Sequence, residues 1–111
     1  VITLEELHKH QVERDLREVL KTPHGRRTFW WLVDEVSGVF NTSFAGEQTH
    51  QTAFHEGKRA VGAELVETLQ RLAPEEYQRM FLDAIEDRRL AREEYERLEK
   101  ERLEQEQKAR P

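Results

Sequence analysis

Five histidines, at positions 8, 10, 24, 50 and 55, are the residues whose chemistry would be most specific if their spacing allowed it. Two imidazoles hold a metal ion from one helix face when they stand four apart. His8 and His10 are two apart and point to different sides of a helix, while His50 and His55 are five apart. His24 falls where a helix begins and reads as a solvated residue. Cysteine is absent, so thiolate sites and disulfides are excluded. No metal site and no cofactor are expected. Nucleophilic catalysis has no better footing, because Ser37, Ser43 and the threonines occur without a nucleophile elbow or a phosphate-binding loop around them. The chain does not read as an enzyme.

Two basic pairs, Arg26–Arg27 and Lys58–Arg59, lie beside aromatic residues and would form one patch if the second and third helices pack together. Such a patch suits phosphate or an acidic protein surface. The competing reading leaves Lys58 solvated and turns Arg26 or Arg59 inward onto Glu56, Asp34 or Glu35. Sequence-specific DNA recognition is not expected, because Glu56, Glu64 and Glu67 share the third helix with its bases. Trp30 and Trp31 project about 100° apart on a helix. Both can be core, or Trp31 can be left as a contact anchor.

The elements that carry these residues are helical. A first segment runs from about Thr3 to Lys21, with Thr3 and Glu6 at capping-box spacing; its polar middle, HKHQ, predicts that only the second half docks. Thr22 and Pro23 open a second helix that reaches Ser37 and stops at Gly38. Residues 39–52 read as a loop anchored by Phe40 and Phe44. A third helix starts between Thr49 and Thr52 and ends near Leu72. Its apolar stripe is Phe54, Val61, Leu65, Leu69 and Leu72. Beside that stripe Ala53, Gly57 and Ala60 are small. Gly57 and Gly62 each cost about 1 kcal/mol against alanine in a helix interior, so they mark either a close approach, by Trp30, Trp31 or a helix backbone, or a break.

Pro74, Glu75 and Glu76 open a fourth helix, whose docking face is Tyr77, Met80, Phe81, Ala84 and Ile85. From Glu86 to Arg110 there are 17 charged residues, with Leu90, Tyr95, Leu98 and Leu103 scattered among them. Glu93–Arg97, Glu96–Lys100, Glu104–Lys108 and Glu106–Arg110 stand in the favourable i to i+4 order. The apolar seam is too weak for a coiled coil, so this stretch reads as a projecting charged helix of roughly 35 residues counted from Pro74, about 50 Å long at 1.5 Å per residue.

The expected fold is therefore all-α: a small helical domain of three to four helices with a long charged C-terminal helix. The expected divisions are an N-terminal helical arm (1–14), a helical head (15–86) and a charged extension (87–111). The net charge of −5 on 111 residues is spread so that residues 86–111 hold nine acids and eight bases; no segment is a basic arm for nucleic acid. No apolar run approaches the ~20 residues of a membrane span, and no signal peptide is visible. The default expectation is a soluble, unexported protein. The first residue is Val, which leaves room for residues upstream.

The stretch from about residue 15 to 82 resembles a small domain of tailed bacteriophages, the Bordetella phage protein nineteen-like domain. The resemblance is carried by Asp15 and Leu16, by Thr22 with Gly25 and Arg26, and by Gly38 to Phe40 followed by Ser43 and Phe44. It continues in the spacing of Phe54, Gly57, Arg59 and Gly62 and in APEEY leading to Met80. His24 departs from it, standing where an acidic residue is more usual, and the extension after Asp87 lies outside it. The resemblance implies a structural-module protein of short-tailed phages (podophages), without enzymatic activity. It would be virion-associated and bound in multiple copies on a symmetric ring to portal, adaptor or internal virion proteins at the neck or head–tail connector. The alternative from another class is a soluble phage accessory factor, a DNA-packaging helper or regulator. The residues expected to meet partners are Arg26, Arg27, Trp31, Lys58, Arg59, Leu90, Tyr95 and Leu98.

Overall fold

The computed structural model describes residues 1–41 and 49–111, and among these every regular element is helical. Four α-helices follow in order: α1 (Leu4–Leu20), α2 (Pro23–Trp31), α3 (Thr49–Leu72) and α4 (Pro74–Ala109). Their ends are set by local chemistry. The Thr3 hydroxyl accepts from the Glu6 amide at 3.1 Å while the Glu6 carboxylate accepts from the Thr3 amide at 3.2 Å, a reciprocal cap of two otherwise orphaned donors. Thr22 accepts from the Gly25 amide at 3.0 Å, with Pro23 pre-set for the first helical position. Pro74 opens α4 after a single connecting residue, the buried Ala73.

α2 does not continue as an α-helix to Ser37. Residues Leu32–Val36 form a π-helical turn, in which the Ser37 amide donates to the Leu32 carbonyl at 2.9 Å. The Ser37 hydroxyl donates to the Val33 carbonyl and accepts from the Val39 amide. This wider turn pushes Ser37 onto α3, and the chain leaves through Gly38 at φ +64°, where glycine has no steric penalty.

The two α3 glycines differ. A Cβ on Gly62 would sit 2.1 Å from the Ser37 hydroxyl oxygen and 3.0 Å from the Val39 Cβ, whereas nothing lies within 4 Å of one on Gly57. The close approach is therefore at Gly62, to the π-turn and not to either tryptophan, and α3 runs through both glycines without a break. The expected stripe on α3 is also shorter than its spacing suggests. Leu69 and Leu72 are core, but Phe54 is 63 % exposed and Val61 is exposed. A helix of 24 residues is about 36 Å long at 1.5 Å per residue, and the other helices cover only its C-terminal half.

The core comprises Leu20, Val33, Leu69, Ala73, Tyr77 and Met80, flanked by Leu16, Phe29, Trp30, Val39, Val66 and Phe81. At the α1–α2 corner a Cβ on Gly25 would lie 1.8 Å from the Val19 carbonyl oxygen; only glycine lets the two helices meet there. Phe40 joins the aromatic edge of the core while remaining half-exposed; Phe44 lies outside the described residues. The radius of gyration, 20.3 Å, and extents of 81 × 41 × 19 Å far exceed the ~13 Å radius of a compact 100-residue domain. The excess comes from α4, whose last turns extend beyond the core.

Candidate docking surface

Arg26 does not contribute to an exposed basic patch. It is 8 % exposed, its Nε lies 2.6 Å from Asp83 Oδ2, and its Nη1 donates to the Leu20 and Lys21 carbonyls at 3.0 and 3.2 Å. The guanidinium thus caps the C-terminus of α1 and ties it to α4. A planar fork of donors suits this task, because it satisfies two carbonyls and a carboxylate together. Arg79 reaches the other Asp83 oxygen at 3.7 Å.

The remaining basic residues do not gather either. α2 packs on α4, so Arg27 faces Asp87, at 4.0 Å. On α3, Arg59 is turned onto the Val39 carbonyl at 3.4 Å and onto Glu56 at 3.3 Å, while the Lys58 ammonium lies 5.1 Å from the centroid of the exposed Phe54 ring as a cation–π pair. Trp30 and Trp31 part as their angular separation allows. Trp30 contacts the rings of Phe81 (centroids 4.9 Å apart) and Phe40 (5.8 Å), and Trp31 is half-exposed.

Packing creates a surface that residue types did not suggest. Between α2 and α4, Trp30, Phe81, Ala84, Ile85 and Arg88 line an open apolar groove of about 300 Å³. A second trough of about 270 Å³ shares Trp30, Ala84 and Arg88 and adds Arg27, Met80 and Asp87. Ala84 lines both, and its small side chain leaves space open between the larger residues. Ile85, assigned to the core by its spacing, is 68 % exposed at the rim. Arg88 is exposed and has no ion pair among the described residues. The signal in the sequence was a small residue, Ala84, between larger ones on a docking face.

Beyond the groove Leu90, Tyr95, Leu98 and Leu103 are all exposed. The tail's charges pair differently from the four expected couples. Arg89 bridges Glu86 and Glu93, Arg97 bridges Glu94 and Glu101, and Arg102 bridges Glu99 and Glu106. Each arginine reaches one carboxylate a turn back and another a turn ahead, which a lysine's single ammonium does less well. Hydrogen bonds from these arginines hold Glu86, Glu94 and Glu99 below the ordinary glutamate value.

A family profile described as Bbp19-like phage protein matches residues 16–81, more than half of the chain. The chain belongs to this family. The matched span begins at Leu16, where α1 docks, and ends at Phe81, within the aromatic cluster, so the Bbp19-like domain coincides with the packed head. The exposed start of α1, the groove residues Ile85 and Arg88 and the charged tail lie outside it. No curated protein and no solved structure matches the chain. Among the described residues no helix is long and apolar enough to cross a membrane.

Proposed function

We propose that this phage protein is a small structural component of a podophage virion, without catalytic activity, bound in multiple copies to the portal, neck or internal head–tail assembly. One observation carries the reading: α4 leaves the packed head as a continuous helix whose exposed apolar residues nothing among the described residues covers. A helix of this kind costs little to keep straight, because its charges pair along its own length, and it offers Leu90, Tyr95 and Leu98 to a neighbouring subunit. Arg27 and Trp31 are the exposed candidates on the head for the same role, with Lys58 partly buried and Arg59 partly committed to Val39. Membership in a phage family supplies the biological setting, and the elongated shape suits contact with two adjacent subunits of a ring.

Quantitative mass spectrometry of purified particles tests this. A copy number in fixed ratio to the portal subunit is expected. Absence from particles, with the protein present in infected cells, would favour a soluble accessory factor that helps DNA packaging or regulates it.

A further inference from the structure

On the side of α4 away from the buried Met80, one stripe carries a charge order that reverses about its own midpoint. Ile85, Arg89, Arg92, Glu96, Glu99 and Leu103 follow at steps of four, three, four, three and four, which keeps them within about 80° of one another round the helix. They read apolar, base, base, acid, acid, apolar, and each of the pairs 85 with 103, 89 with 99 and 92 with 96 is centred on position 94. Ile85 is 68 % exposed and Leu103 49 % exposed. Arg92 and Glu96 are exposed and have no ion pair among the described residues, while Arg89 and Glu99 are held within their own helix. Toward the head the stripe stays open, because Leu82 and Gln78 are exposed. Leu82 stands symmetric to Glu106, so the reversed pattern spans 85–103 and no more.

We infer that α4 pairs antiparallel with α4 of a second copy of this chain through this stripe, with Ile85 against Leu103 of the second copy and Arg92 against its Glu96. A two-fold axis at position 94 makes every contact twice, as an isologous interface requires, and closes the assembly at two. The reversal is what selects a second copy and its direction: antiparallel, each unpaired charge meets its opposite, whereas a parallel pair would set Arg92 on Arg92 and Glu96 on Glu96, which repel. Glu104 is also unpaired, but the position symmetric to it is Ala84, which offers no charge. Arg88 and Lys100 are symmetric too, yet they lie about 120° apart on opposite edges of the stripe and do not meet. Only two of the six positions are apolar, so the contact is specified by charge and falls short of a coiled coil. Tyr95 and Leu98 lie about 80° and 140° round from the middle of the stripe, which leaves them free for the neighbouring subunit. The pairing goes beyond the structural role proposed above and does not rest on it.

Sedimentation velocity on the full chain at low ionic strength tests it, with circular dichroism to show that each variant stays helical. The wild-type chain should associate to a dimer and no further. R92E and E96R each set like charges across the contact twice, and each should weaken dimerisation by about tenfold or more. An equimolar mixture of the two should dimerise as the wild type does, because each then meets its opposite, and so should the double variant R92E/E96R. Disulfides read the direction, since the chain has no cysteine of its own. Under mild oxidation I85C mixed with L103C should crosslink, and neither alone should, because two copies of one position stand about 27 Å apart along an antiparallel pair. Four results would overturn the inference: a wild-type chain monomeric at its highest soluble concentration, undiminished association of R92E or E96R, failure of their mixture to recover it, or I85C crosslinking to itself as fast as to L103C. Particle mass spectrometry is independent of all four, so failure here is distinguishable from failure of the structural role.

Discussion

From Tyr77 to Ala84, α4 is held by its neighbours: Met80 is fully buried, Tyr77 nearly so, and Asp83 is bound by Arg26 across the interface. From Glu86 to Ala109 the same helix is held by itself, through arginines that grip carboxylates on both sides along one strand of sequence. The first half loses its reason to be helical if the head comes apart. The second half does not depend on the head, and it responds instead to salt and acid. On the proposed structural role the division is the same: the packed unit would fix position, and the self-supporting strut would provide reach.

The strongest way to break the head is Arg26→Ala. It strips a largely buried carboxylate and two helix-end carbonyls of their donor, and truncating one member of a buried pair costs about 3–5 kcal/mol. The loss should fall toward the lower figure, because Asp83 is a quarter exposed and keeps Arg79; chemical denaturation of the variant measures it. A stability equal to wild type would mean that Arg26 is dispensable to the α1–α4 tie.

Glycine substitutions come next and divide α3 in two. Gly62→Ala should destabilise by about 1–3 kcal/mol, because the new methyl collides with Ser37 and the π-turn must shift. Gly57→Ala should stabilise by about 0.5–1 kcal/mol through helix propensity alone, with open space around it. Thermal melts of the pair check the order, and a reversed order would invalidate the placement of the π-turn against α3.

Removing residues 93–111 should leave the melting temperature of the head within experimental error, since no core residue lies beyond Met80. A large drop would show that the tail folds back onto the head.

The smallest effect is the tail's response to acid. Because arginine hydrogen bonds depress Glu86, Glu94 and Glu99, their support is fully present above the unfolded glutamate value and is withdrawn as pH falls through the lower folded ones. Helical Cα shifts from residues 86–109 of the full chain should weaken in strong acid. Shifts unchanged there would mean that the ion pairs do not sustain the strut.

The sequence by itself determined every feature whose cause lies within a turn or two of chain. Thr3 with Glu6, Thr22 with Pro23, and Pro74 mark helix starts because capping is a contact between residues three apart or less. The tail reads correctly as a charged helix for the same reason, although which glutamate each arginine takes depended on the reach of the guanidinium. Only tertiary structure decided the rest. Gly57 and Gly62 are equivalent in sequence, and the arrival on one of them of Ser37, twenty-five residues away, is set by the π-turn that precedes it. Arg26 and Arg27 are equally basic neighbours, yet a rotation of about 100° along the helix sends one onto Asp83 and leaves the other at the surface. Phe54, Val61 and Ile85 have the spacing of core residues but are exposed, because periodicity specifies a face and only the length of the neighbouring helices specifies how much of that face is covered.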